Sequence, residues 1–124
     1  MNILIVDDSM VSRRISRRAI QEKRPRSDRF FEAANGQEAL TLLFENTVGL
    51  IIVDWNMPEL DGFEFVKRVR QKDKYVNLPI IMVTAESKTE NVIVAKQAGV
   101  SNYIVKPFNA ETLKGKIEMV LGTA

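Results

Sequence analysis

Residues 50–58 read Leu-Ile-Ile-Val-Asp-Trp-Asn-Met-Pro. Four consecutive apolar residues stop at an acid, and turn-forming residues follow. A run that is apolar at every position, rather than every second one, suits a strand covered on both faces, as in a parallel sheet. Working outward, similar runs occur at Ile3-Leu4-Ile5-Val6, Phe30-Phe31, Ile80-Ile81-Met82-Val83 and Tyr103-Ile104-Val105, with amphipathic segments between them. The pattern predicts an α/β chain of five strand–helix units, a doubly wound parallel sheet with helices on both sides.

Local signals agree with this reading. Asn35 with Glu38, Asp61 with Glu64, and Ser87 with Glu90 each place a capping side chain three residues before a glutamate, and Asn109 can cap the last helix. Helix ends are predicted at Arg24-Pro25, Ala98-Gly99 and Leu121-Gly122, glycine being suited to a left-handed cap. Gly115 falls inside the last helix, at a cost of roughly 1 kcal/mol relative to alanine. With 124 residues, no linker and no low-complexity tract, one domain over residues 1–124 is expected.

Composition narrows the chemistry. The chain has no cysteine and no histidine, which excludes disulfides, thiolate nucleophiles, a Ser-His-Asp triad and a phosphohistidine of its own. Acid, base and nucleophile roles fall to carboxylates, lysine and hydroxyls. No apolar run reaches the roughly 18 residues of a membrane span, and Met1-Asn2 leads directly into a strand, so a cytoplasmic protein without membrane insertion is expected. The net charge is +2. It is unevenly spread: Arg13, Arg14, Arg17, Arg18, Lys23, Arg24, Arg26 and Arg29 face only Glu22 and Asp28 within their stretch. Arginines at helical spacing are more often a solvated face than an anion site, and direct nucleic-acid binding is not expected.

In an open parallel sheet, ligands bind at the carboxyl ends of the strands, beside the point where strand order reverses. Those ends carry Asp7-Asp8, Asp54, Thr84 and Lys106-Pro107. With strand order 2-1-3-4-5, the first and third strands are neighbours and three carboxylates share one edge. Such a cluster calls for a divalent cation, and an oxygen-only donor set without a calcium loop favours Mg²⁺ or Mn²⁺. Magnesium points to phosphoryl chemistry, with Asp54 best placed as nucleophile, Lys106 as a point charge and Thr84 as a hydrogen-bond donor. Each residue also has a plainer reading. Asp8 or Ser9 could cap the first helix, Asp54 could be a turn acid, Thr84 an ordinary strand residue, Lys106 a solvated lysine and Tyr103 a half-buried strand aromatic. The weight lies in their convergence on one edge.

Val-Asp-Asp-Ser at 6–9, Val-Asp-Trp-Asn-Met-Pro at 53–58, Asp61-Gly62, Val-Thr-Ala at 83–85 and Lys-Pro-Phe at 106–108 together resemble the receiver domain of two-component response regulators. With Glu86 and Tyr103, the pattern is most similar to the stand-alone chemotaxis regulators. The resemblance implies a flavodoxin-like (βα)5 fold with sheet order 2-1-3-4-5. It implies that Asp54 accepts a phosphoryl group from a histidine kinase, that Asp8, Asp54 and the backbone carbonyl of Asn56 bind Mg²⁺ directly, and that Asp7 acts through water. Lys106 then pairs with a phosphoryl oxygen. Thr84 and Tyr103 form a switch that alters the surface of the fourth helix, fifth strand and fifth helix, where a target protein binds. Small Ala85 leaves access to the phosphoryl group, Asn56 and Glu86 tune slow self-dephosphorylation, with or without a separate phosphatase, and the Lys106–Pro107 bond is cis. A monomer is expected, not a turnover enzyme.

Four other readings compete with it. A flavin carrier would need a phosphate-cradling first loop, and Asp7-Asp8 would repel phosphate. An aspartyl phosphatase would carry a second aspartate where Asn56 stands. A phosphorylation-independent scaffold, or the receiver of a longer regulator with DNA-binding or enzymatic output, is the remaining alternative. The isoelectric point near 9.0 is unusual against the acidic receivers the motifs resemble.

Overall fold

A computed structural model describes residues 1–24, 28–55, 57, 60–85 and 89–122, with 89–91 described by backbone alone. Pro25, Asn56, Glu86 and Ser87, and the side chain of Glu90 in the expected cap, lie outside the described residues. The elements run β1 (Asn2–Val6), α1 (Met10–Lys23), β2 (Arg29–Ala33), α2 (Gly36–Glu45), β3 (Leu50–Asp54), α3 (Gly62–Arg70), β4 (Ile80–Thr84), α4 (Thr89–Ala98), β5 (Asn102–Val105) and α5 (Ala110–Leu121). A short 3₁₀ turn, Asp73–Tyr75, has no counterpart among the expected elements.

All strand pairs are parallel and the order is β2-β1-β3-β4-β5. The continuous apolar runs explain this: β3 and β4 are buried at every position because helices cover both faces. Strand alternation divides the core. Leu4, Val6, Ile51, Val53, Ile80 and Met82 face α2, α3 and α4 with Leu43, Phe65 and Val69. Ile3, Ile5, Ile52, Ile81, Val83 and Ile104 face the other way, onto Ile20 of α1 and Leu113 and Ile117 of α5.

The described helix starts follow their capping residues. Ser12 N–H donates to Ser9 Oγ at 3.2 Å, Glu38 N–H to Asn35 Oδ1 at 2.9 Å, Glu64 N–H to Asp61 Oδ1 at 2.9 Å and Thr112 N–H to Asn109 Oδ1 at 2.8 Å. Glu38 also reaches back to accept from Ala34 N–H. α1 ends at the extended Arg24, while Gly99 and Gly122 take positive φ of 111° and 69° after α4 and α5. Gly115 is exposed, and a Cβ there would meet nothing within 4 Å, so no close packing requires the glycine.

Arg70 ties the far side together. Its guanidinium donates to the carbonyls of Gly99 at 2.9 Å and Tyr75 at 2.6 Å, joining the end of α3 to the loop before β5. Burial lowers its pKa from the ordinary arginine value.

Candidate functional site

Because β1 and β3 are adjacent, Val6 pairs with Val53 and the acids that come next, Asp7 and Asp54, emerge side by side. Asp7 and Asp54 are buried and Asp8 is exposed. One oxygen from each of the three lies within 4.8 Å of the others. At that spacing each like-charge pair costs on the order of 3 kcal/mol at an effective dielectric near 20. The half-buried ammonium of Lys106, from the end of β5, sits 3.5 Å from Asp7 Oδ2 and 3.6 Å from Asp54 Oδ1. One ammonium against three carboxylates leaves excess negative charge. The donor set is oxygen only, partly buried and open on the Asp8 side, and it fits a hard divalent cation such as Mg²⁺ that keeps some of its waters.

The loops around this edge hold the acids in place. Asp7 N–H donates to Ala33 O at 3.0 Å, and its Oδ1 accepts from Ser9 N–H at 2.9 Å. Of the two capping candidates for α1, it is Ser9 that caps, which leaves the Asp8 carboxylate for other work. Trp55 N–H donates to Val83 O at 3.0 Å, Gly62 N–H to Trp55 O at 2.9 Å and Lys106 N–H to Thr84 O at 2.8 Å. The Trp55 ring stacks on Phe63 with centroids 6.3 Å apart.

Thr84 is buried at the end of β4 and Ala85 beyond it is exposed. Tyr103 lies opposite Met82 on β5, with its half-buried ring packed on the same core face as Met82. By strand alternation Thr84 shares that face, two residues further along. Lys116 of α5 places its ammonium 5.2 Å from the Tyr103 ring centroid. The Lys106–Pro107 peptide is cis. Two residues at the site carry no signal of their own in the sequence. Gly62 stands within a motif and Arg13 within a basic run, although Arg13 Nη1 donates to Asp7 O at 2.6 Å.

The basic stretch is less bare than its sequence. Glu32 and Glu111, both outside it, take up Arg13, Arg17 and Lys23, and Arg24 pairs with Asp28. Lys23 is thereby raised above, and Glu111 held below, its ordinary value, each chiefly through their shared hydrogen bond.

This carboxylate edge on a sheet of this order is that of a signalling receiver, and the chain belongs to the response regulator receiver domain family, whose model matches residues 3–118. Within that family the chemotaxis regulators are similar from end to end. The chain is 51% identical over 124 residues to a chemotaxis protein CheY homolog of Campylobacter jejuni, covering 99% of this chain and 94% of that one. It is 45% identical to chemotaxis protein CheY1 of Helicobacter pylori, with 99% and 98% covered. The structure of Vibrio cholerae CheY4 superposes with a TM-score of 0.87 at 38% identity, covering 96% and 97% of the two chains. The chain is thus a response regulator switch of the chemotaxis type. None of its described helices is long and apolar enough to cross a membrane.

Proposed function

We propose that residues 1–124 form one receiver domain that works as a stand-alone phosphoacceptor switch, with Asp54 as the acceptor. A carboxylate oxygen of Asp54 attacks the phosphorus of a histidine kinase's phosphohistidine. The P–O bond of an acyl phosphate forms as the P–N bond breaks, and its electron pair leaves with the imidazole. Burial at the end of the central strand, next to Lys106, favours Asp54 over the exposed Asp8.

Lys106 holds a phosphoryl oxygen as a point charge, and Thr84 donates a hydrogen bond to the same group. Mg²⁺, or Mn²⁺ in its place, supplies charge neutralisation when held by Asp8, Asp54 and the Asn56 carbonyl, with Asp7 acting through water. Thr84 drawn toward the phosphoryl group leaves room for the Tyr103 ring on their common face, and the α4-β5-α5 surface changes to bind a target protein. Water attacks the acyl phosphate slowly past Ala85, at a rate tuned by Asn56 and Glu86, with or without a phosphatase. The protein turns over no separate substrate. Its partners are cytoplasmic proteins, met as a monomer.

The observation that carries this reading is the meeting of Asp7, Asp8 and Asp54 within 4.8 Å beside one ammonium. Intact mass after incubation with Mg²⁺ and acetyl phosphate tests it. A single phosphoryl adduct is expected in the wild type and none in Asp54→Asn. A folded wild type that gains no adduct, and whose Trp55 fluorescence ignores Mg²⁺ with beryllofluoride, would leave a scaffold without phosphotransfer.

A further inference from the structure

Arg13 stands where helix electrostatics disfavours it. It lies in the first turns of α1, near the positive end of the helix dipole, and the first turn carries no acid to offset it. Its side chain is nevertheless only 15% exposed and turned inward. Nη1 donates to the carbonyl of Asp7 at 2.6 Å, while Nε donates to Glu32 Oε1 at 3.1 Å. The other Glu32 oxygen accepts from Arg17 at 3.1 Å, so Glu32 on β2 is itself held between two guanidinium groups. A residue that breaks a local rule and is braced in doing so is expected where function demands it.

The carbonyl that Arg13 holds belongs to the peptide joining Asp7 to Asp8. That peptide is planar, so fixing its oxygen fixes the direction in which the chain delivers Asp8. Asp7 has other restraints: its N–H is bonded to Ala33 O and its carboxylate to Ser9 N–H. Asp8 is exposed, and its carboxylate depends on the backbone for its position. We infer that Arg13 is a positioning residue for the cation site: braced by Glu32, it holds the Asp7–Asp8 peptide so that both acids face the same point as Asp54. This rests on the reading of the acidic edge as a Mg²⁺ site.

The sign of one measurement separates this role from simple charge. Removing a cation near an acidic site strengthens Mg²⁺ binding if only Coulomb attraction matters. Removing a positioning group weakens it, by about tenfold or more where outer-shell supports of metal ligands have been lost. Calorimetric titration of Arg13→Ala with MgCl₂ is therefore expected to show weaker binding. Arg13→Lys, which keeps the charge and loses the fork, should fall between the two. Arg14→Ala, one residue along and pointing to solvent, should bind as the wild type does or slightly tighter. Without metal, amide exchange at Asp8 and Ser9 should quicken in Arg13→Ala. If Arg13→Ala does not fold, Arg13→Lys carries the same test, since it keeps the charge and is still expected to bind Mg²⁺ more weakly. Equal or tighter Mg²⁺ binding in the folded Arg13 variants overturns the inference while leaving the site itself intact. A wild type that takes up no Mg²⁺ overturns the underlying reading and this inference with it.

Discussion

Gly62 and Asp54 meet backbone to backbone. A Cβ on residue 62 would press into the carbonyl oxygen of Asp54 and lie 3.0 Å from Cα of Trp55. Neither neighbour is a flexible side chain. The start of α3 is thus pressed onto the end of β3, and Gly62 N–H donates to Trp55 O at 2.9 Å across the same contact. Gly62→Ala must push the loop after β3 away from its place. A loss of about 1–3 kcal/mol is expected from overpacking at a site that cannot yield, read as a lower urea midpoint. Asp54 moves with the strand end, so adduct formation with acetyl phosphate should slow even below the unfolding range. An alanine variant with wild-type stability and rate would show that the contact is loose.

Lys106 competes with a cation for Asp7 and Asp54, to which its ammonium stands at 3.5 and 3.6 Å. Partly exposed ion pairs of this kind contribute about 0.2–1 kcal/mol each. Lys106→Met should therefore bind Mg²⁺ a few-fold more tightly. The same variant loses the charge proposed to meet the phosphoryl oxygen, so its phosphorylation should slow. Tighter metal with slower chemistry is the expected pair of results from calorimetry and mass spectrometry. Weaker Mg²⁺ binding would mean that Lys106 chiefly organises the acids.

The sheet was legible because its signals are local. Leu50–Val53 and Ile80–Val83 are apolar at every position because both faces are covered, and Asn35, Asp61 and Asn109 cap helices through side chains three residues from their donors. The placement of the candidate site was legible for a related reason, since Asp7-Asp8 and Lys106 follow strands and Asp54 and Thr84 end them. What was not legible depends on distance in space. Nothing near Gly62 in sequence announces that its missing Cβ leaves room for the Asp54 carbonyl. The Arg13–Glu32 pair spans 19 positions and turned a residue of a solvated-looking run into a support for Asp7. Arg70 likewise finds Gly99 across 29 positions.

Asp28 gives the fold a defined acid response. Burial pushes its carboxyl up, but hydrogen bonds and charge from Arg24, at 2.9 Å, and from the N-terminal ammonium, at 3.1 Å, outweigh burial and hold it below the ordinary aspartate value. A carboxyl whose folded pKa is depressed stabilises the protein above its unfolded pKa, near 3.9. That contribution is lost as pH falls through the lower folded value. Asp28→Asn should accordingly cost about 1.5–3 kcal/mol at pH 7, in the range of hydrogen bonds to charged groups. The gap between variant and wild type should close as the pH of urea unfolding is taken below 3.9. A gap that persists unchanged at the lowest pH would assign the effect to packing.

Arg14 and Arg18 are the cations of α1 that carry no ion pair among the described residues. Both are exposed and border a groove between α1 and α5 that also contains Val11, Ile15 and Phe108. If this charge steers an acidic phosphodonor, it acts on the encounter rate, and salt should screen it over a Debye length of about 8–10 Å. Arg14→Glu with Arg18→Glu should then slow phosphotransfer from a histidine kinase by about tenfold at low ionic strength, with the difference fading as salt is added. Uptake from acetyl phosphate is the internal control. It needs no protein surface, and Asp54 is untouched, so that rate should hold. Equal kinase rates at every salt concentration would make the pair an ordinary solvated face, and the high isoelectric point a property of composition rather than of recognition.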